Sequence, residues 1–250
     1  MLVLPLYDDN PNTSMPFVTY TLIVACVFVF VWQMELSPQQ AHRVVLEYGM
    51  IPAVLFGYVE PAPQLHAVPA WMTLFTSMFL HGGWLHLCGN MIYLLLFGKG
   101  VESALGPARF LVLYLICGVA AGLAQAVIDP ASELPMIGAS GAIAGTLGAY
   151  LVLHPRGNIV VFLWFFVFVR FITVPAVIVL GLWFLLQLMS ALSAAPGDPG
   201  VAFWAHIGGF VVGMLLVPVF RRPGTPLLQP ARSDAFSVSR RGIPRRGPWG

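Results

Sequence analysis

Charge is what this sequence has least of. Asp, Glu, Lys and Arg make up 9% of its 250 residues, against about 25% in an ordinary soluble domain. A chain so poor in charge cannot present a polar surface to water on all sides. Cysteine is scarce as well: Cys26, Cys88 and Cys117 are the three present, all within apolar runs. An odd number in such places excludes a closed disulfide framework and fits small apolar packing residues. Residues 1–16 carry Asp8 and Asp9 but no basic residue, and the apolar run that follows is too long for a signal-peptide core, so the first helix is expected to stay. Also missing are His-Glu-x-x-His, the zinc-protease arrangement, and any pair of intramembrane aspartates. Zinc and aspartyl proteolysis are thereby excluded. A metal site built on His86 and His206 has no third ligand, so neither metal nor cofactor is expected.

What is abundant is apolar sequence. Hydrophobic residues make up 58% of the chain and mean hydropathy is +0.84. Several runs approach the ~20 apolar residues that a membrane-crossing helix needs. The expected fold class is an all-α polytopic membrane protein with the lipid bilayer as its medium. Net charge is +2 and the basic residues gather at the C-terminus; no nucleic-acid partner is expected.

Six spans are expected, at 17–34, 84–105, 107–128, 137–153, 174–193 and 201–220. Between the first two lies a long connection, 35–83, punctuated by Pro38, Pro52, Pro61, Pro63 and Pro69 but carrying apolar faces through Trp71, Leu74, Phe75, Met78 and Phe79. A connection of this length is usually functional, and it reads as a membrane-associated loop with short helices at the interface. Residues 158–172 read as an interfacial or re-entrant piece, with two spans across 158–193 as the alternative. Residues 194–200 form a Pro/Gly-rich turn. The domains are thus an N-terminal cytoplasmic segment (1–16), a membrane domain (17–220) and a disordered Pro/Arg-rich cytoplasmic tail (221–250). Lys99, Arg109, Arg156, Arg170, Arg221, Arg222 and the tail arginines fall on one side of this topology. Arg43 falls on the other, with Glu35, Glu47, Glu60, Asp129, Glu133 and Asp198. That asymmetry places both termini in the cytoplasm, and the absence of an Arg-rich presequence points to a bacterial inner membrane.

Polar groups inside a bilayer are costly and face a cavity or one another. In this topology the second, fourth and sixth spans run inward, and each carries its polar residues in its first turns. They are His86 and Asn90, then Ser140, then His206, each roughly 5–10 Å below its entry point. Taken singly, Ser140 fits a small packing residue, and His86, Asn90 and His206 fit cross-helix hydrogen bonds. Four such residues at one depth on parallel helices fit neither description. On the sixth span, His206, Gly209 and Gly213 fall within roughly 60° of one another. Gly141, Gly145 and Gly148 form a second stripe with Ser140 at its edge. Facing stripes of small residues let helices approach closely and would bring His206 to Ser140. A hydroxyl needs a base to become a nucleophile, and a neutral histidine is the usual one. An oxyanion needs preorganised donors, which the Ser140 N–H, the Asn90 amide and the His86 imidazole can supply. No acid lies in the fourth or sixth span, so the arrangement is a dyad. His66 and His81 read as interfacial, Glu102 as a loop tether to Lys99 or Arg109, and Trp164–Phe168 as lipid-facing bulk.

Several of these stretches, taken together and in order, resemble the rhomboid family of intramembrane serine proteases. They are Gly138-Ala139-Ser140-Gly141, His86-x-x-x-Asn90, Ala205-His206-Ile207-Gly208-Gly209 with Gly213, Phe97-Gly98-Lys99-Gly100-Val101-Glu102 and Leu105-Gly106-Pro107-Ala108-Arg109-Phe110. The resemblance covers about 17–220 and implies a six-helix rhomboid-like bundle. It implies Ser140 as nucleophile, His206 as general base, and His86, Asn90 and the Ser140 N–H as oxyanion hole, with Gly138 touching substrate through its backbone. Its substrates would be single-pass membrane proteins cut in or near their transmembrane segments. A non-catalytic binder of membrane proteins on the same fold is the competing function; a small-solute channel or transporter is a third, disfavoured by the lack of an intramembrane acid. Two positions depart from the family pattern. Met72 follows Trp71 where many members have Arg, and Ala144 stands where many have an aromatic residue stacking on the catalytic histidine.

Overall fold

The computed structural model describes residues 2–9, 14–60, 62, 65, 67–194, 200–231 and 233. In chain order these form strand β1 (Leu2–Asp8) and helices α1 (Phe17–Met34), α2 (Pro38–Tyr48), α3 (Pro52–Leu55) and α4 (Thr73–Thr76). Helices α5 (Trp84–Leu105), α6 (Pro107–Ile128) and α7 (Ser140–Leu153) follow, then strands β2 (Asn158–Phe165) and β3 (Phe168–Pro175), and helices α8 (Ala176–Ser193) and α9 (Phe203–Phe220). The turn expected at 194–200, His66 and most of the tail lie wholly or largely outside the described residues. The protein is a mostly helical integral membrane protein. Helices α1, α6, α8 and α9 are long and apolar enough to cross a bilayer. Helix α5 has 22 residues, and α7 is apolar but only 14 residues long.

Helix α7 is the axis of the core. Gly141, Ala142, Ala144, Gly145, Gly148 and Ala149 are all buried along it, because α5, α6 and α9 close on it from different sides. The contact with α9 is made at backbone level. A Cβ added at Gly209 would overlap the Gly141 carbonyl oxygen, one at Gly213 the Gly145 carbonyl, and one at Gly148 the Phe210 carbonyl. No rotamer change relieves a clash with backbone, so these positions require glycine for the helices to lie this close. On the α6 side, a Cβ at Gly141 would come within 2.5 Å of Ala121 Cβ.

Glu102, expected to tether a loop through Lys99 or Arg109, does something else. Its buried carboxylate accepts hydrogen bonds from Val18 N at 2.9 Å, Thr19 N at 2.8 Å and Thr19 Oγ1 at 2.7 Å. The first N–H groups of a helix have no intrahelical acceptor and carry its positive dipole end. A carboxylate from α5 therefore caps α1 across the fold.

The long first loop is folded and tied down. Helix α2 opens with a capping box between Ser37 and Gln40, which satisfies two backbone donors reciprocally. The loop is pinned to α1 by the His81 N–H donating to Gln33 Oε1 at 3.1 Å. It meets the 129–136 connection through the reciprocal Met50–Met136 backbone pair at 3.0 and 2.8 Å and through Ala53 N to Ser132 O at 2.9 Å.

The region 158–175 is a β-hairpin, and β1 adds a third antiparallel strand in the order β1-β2-β3. Leu2 pairs with Trp164 and Asp8 with Ile159, with a register shift between Pro5 and Tyr7; Asn158 pairs with Pro175 and Phe165 with Phe168. The sheet is an addition to the all-α expectation, and the end of β3 takes Val174 and Pro175 from the expected fifth span, which begins at Ala176. An unbroken apolar run gives no periodicity to separate strand from helix. The β-branched and aromatic residues of Ile159-Val160-Val161-Phe162 carry the strand preference. The sheet is fastened under α7 by Tyr150 Oη donating to Asp8 Oδ2 at 2.7 Å. The start of the tail, expected to be disordered, lies against helix ends: Arg222 N donates to Ala104 O at 3.0 Å, Leu228 N to Val152 O at 3.0 Å and Gln229 N to Leu153 O at 2.9 Å. It satisfies carbonyls that the C-termini of α5 and α7 leave open.

Candidate functional site

Ser140 is the first residue of α7, so its N–H belongs to the first turn and has no partner within the helix. The chain reaches it through Gly138, at φ +121°, a conformation that side chains disfavour. A Cβ at Gly138 would also lie 2.6 Å from His86 Nε2 and 3.7 Å from Asn90 Nδ2. The conformation calls for glycine here, and a Cβ would in addition push the His86 ring aside. The approach is held by Gly138 N donating to Ser77 O in the first loop at 2.8 Å.

His206 sits in the first turn of α9, buried, with its ring Nε2 2.8 Å from Ser140 Oγ. The close α7–α9 packing carries the two side chains to each other. The other ring nitrogen, Nδ1, lies 2.7 Å from Gln187 Oε1 on α8. Trp183, one turn earlier on α8, places its ring 5.9 Å from the His206 ring at 35°. An amide oxygen only accepts, so Nδ1 bears the proton, and Nε2 is then the acceptor of the serine hydroxyl.

His86 and Asn90 lie one turn apart on α5 and face Gly138. The Gly82 N–H donates to His86 Nδ1 at 3.4 Å, which leaves Nε2 as the protonated nitrogen, on the side of Gly138. The Asn90 Nδ2 group is buried and has no hydrogen-bond partner among the described residues. A buried unpaired donor costs about 1–3 kcal/mol. Such a group is expected where a ligand atom is to be bound. His81, expected at the interface, is instead buried, with its ring 5.1 Å from that of His86 and nearly edge-on. Burial foremost, with His86 beside it, lowers its pKa to about 4, so His81 is neutral.

Ser140, His206, His86, Asn90 and Gly138 all line one cavity of about 640 Å³. Its remaining wall is largely apolar, with small residues such as Gly118, Ala121, Ala142 and Ala144 beside larger ones such as Met78, Leu147 and Trp183. Among the described residues there is no cluster of His, Cys, Asp or Glu of the kind that holds a metal. Gln187 and Trp183 were not anticipated from the sequence. The signal was there: Gln187 is an amide inside an apolar span, and Trp183 precedes it by four residues on the same face.

A family model described as Rhomboid domain matches residues 69–223. The chain belongs to the rhomboid family. It is 32% identical over 162 residues to the Arabidopsis thaliana protein named Rhomboid-like protein 11, chloroplastic, covering 61% of this chain and 53% of that one. It is 33% identical over 138 residues to the Putative rhomboid protease YdcA of Bacillus subtilis, covering 55% of this chain and 62% of that one. Identity reaches 42% over 98 residues with Rhomboid protease GluP of the same organism, over 39% of this chain and 18% of that one. This rhomboid chain thus spans less than two thirds of the length of these relatives.

Proposed function

We propose that this rhomboid is an intramembrane serine endopeptidase that cleaves membrane proteins in or near their transmembrane segments. The observation that carries the reading is the 2.8 Å contact between Ser140 Oγ and His206 Nε2 inside the cavity. Ser140 Oγ attacks the scissile carbonyl carbon as His206 Nε2 takes its proton. The negative charge that develops on the carbonyl oxygen is met by the Asn90 amide, the His86 Nε2–H and the Ser140 N–H. The imidazolium returns its proton to the leaving amine as the C–N bond breaks, leaving an acyl ester on Ser140. Water, deprotonated by the same nitrogen, then hydrolyses the ester. Gly138 contacts substrate through its backbone, and the small residues of the cavity wall accept small side chains beside the scissile bond.

In this reading α1 and α5 to α9 are the six spans, and the chain resides in a bacterial inner membrane with both termini cytoplasmic. The Lys and Arg asymmetry supports that orientation. Named relatives include a chloroplast protein as well as bacterial ones.

The test is cleavage of a transmembrane substrate by the reconstituted protein, with Ser140→Ala and His206→Ala beside the wild type. Wild type cuts, and both variants lose activity by about 10⁴-fold or more. Equal cleavage by all three would remove the dyad, and binding of substrate without cleavage by any would favour the non-catalytic membrane-protein binder.

A further inference from the structure

His206 has two ring nitrogens, and the proposed reaction uses one of them. Its competence depends on where the single proton of the neutral ring sits. With the proton on Nε2 the ring donates to Ser140 Oγ and cannot act as its base. With the proton on Nδ1, Nε2 offers its lone pair. No carboxylate makes that choice, since the cavity is lined without a charged side chain among the described residues. Nor does an aromatic residue on α7 fix the ring, because Ala144 occupies that place.

The group that meets Nδ1 is Gln187 Oε1, at 2.7 Å. It comes from α8, four residues after Trp183, whose ring packs beside the imidazole at 5.9 Å, tilted by 35°. The spacing puts both on one face of α8, while Leu182, Leu185, Leu186 and Met189 are exposed on the rest of the helix. A primary amide in a membrane span is costly unless it has a partner, and here the partner is the ring that must be oriented.

We propose that Gln187 is a positioning residue for His206, its amide oxygen accepting the Nδ1–H and so holding the imidazole in the tautomer whose Nε2 faces Ser140. The inference rests on the dyad reading above. The amide selects a tautomer without adding a charge at membrane depth, and Trp183 packs beside the ring. The titratable groups in the same cavity are His86 and Tyr93, both on α5; α6, α7 and α8 contribute none among the described residues.

The rate at which a fluorophosphonate labels Ser140, measured against pH on the full chain in detergent micelles, tests the proposal. Wild type, Gln187→Leu and Gln187→Glu are compared, with Ser140→Ala as blank. Gln187→Leu slows labelling about tenfold or more while its thermal melt stays near that of wild type. Gln187→Glu labels at close to the wild-type rate, because a carboxylate accepts the same bond. Its added charge also favours the imidazolium, so the acid limb of its rate profile moves up by about one pH unit or more. Labelling of Gln187→Leu at the wild-type rate would overturn the proposal. So would a Gln187→Glu acid limb that does not move, which decides the matter even if Gln187→Leu fails to fold. A wild type that is not labelled would instead remove the dyad reading, and this inference with it.

Discussion

Two contacts hold His206, and they are built differently. Against α7, helix α9 packs backbone to backbone, with Gly141 against Gly209, Gly145 against Gly213 and Gly148 against Phe210. Against α8 it packs through side chains: Trp183 on His206 and on Phe210, Phe184 on Phe210, and Gln187 on the imidazole. Helix α7 is buried along most of its length, whereas α8 buries Ala176, Leu180 and Ala191 and exposes much of the rest. The first contact sets the distance between the serine and the histidine. The second sets the angle and tautomer of the ring. A distance fixed by backbone admits no rotamer escape, while an orientation fixed by side chains can be retuned by one substitution.

The backbone contact is the more severely disrupted by substitution, at its glycines. Gly209→Val drives a branched side chain into the Gly141 carbonyl, at a cost of about 3 kcal/mol or more. The expected outcome is a lowered melting temperature together with loss of cleavage, although no reacting group is touched. A Gly209→Val protein that melts and cuts like wild type would show that the helices do not need this approach. Next in size is Asn90→Ala, which leaves both contacts intact and removes one donor from the cavity. Turnover falls about 10²-fold while the melting temperature holds or rises, because a buried unpaired donor is gone; equal turnover would exclude Asn90 from the oxyanion site. Trp183→Leu acts on the side-chain contact alone. Losing an aromatic pair worth about 0.5–1.5 kcal/mol lowers turnover by roughly two- to twelvefold, with little change in KM. The smallest effect is expected of Leu185→Ala on the exposed face of α8, where stability and turnover stay within about 0.5 kcal/mol of wild type. A larger change there would mean that α8 is held by contacts on that face.

Much of the site's layout was legible in the chain because each element announces itself locally. The expected spans at 17–34, 84–105 and 107–128 coincide with α1, α5 and α6, since Pro16, Gly106-Pro107 and Asp129-Pro130 interrupt long apolar runs. Ser140, His206, His86 and Asn90 stand out as polar groups where polarity is costly. What could not be read is what joins distant segments. Glu102 reaches an acceptor role on Thr19, 83 residues away, and no spacing rule connects them. Strand β2 lacks alternation because the consecutive Ile159, Val160 and Val161 are all buried, and β3 because it opens on the consecutive exposed residues Phe168, Val169 and Arg170. The tail's backbone bonds to Ala104 and Val152 depend on where two other helices end.

The sequence by itself determined that this rhomboid lies in a membrane and which polar residues its helices carry at one depth. Lipid imposes apolarity residue by residue, so both the spans and their exceptions are written locally. Only the tertiary structure decided how those residues meet. The distance from Ser140 to His206 is a property of two helices pressed together at their glycines. The orientation of the ring belongs to a third helix, because a hydrogen bond to Nδ1 requires an acceptor that neither α7 nor α9 supplies.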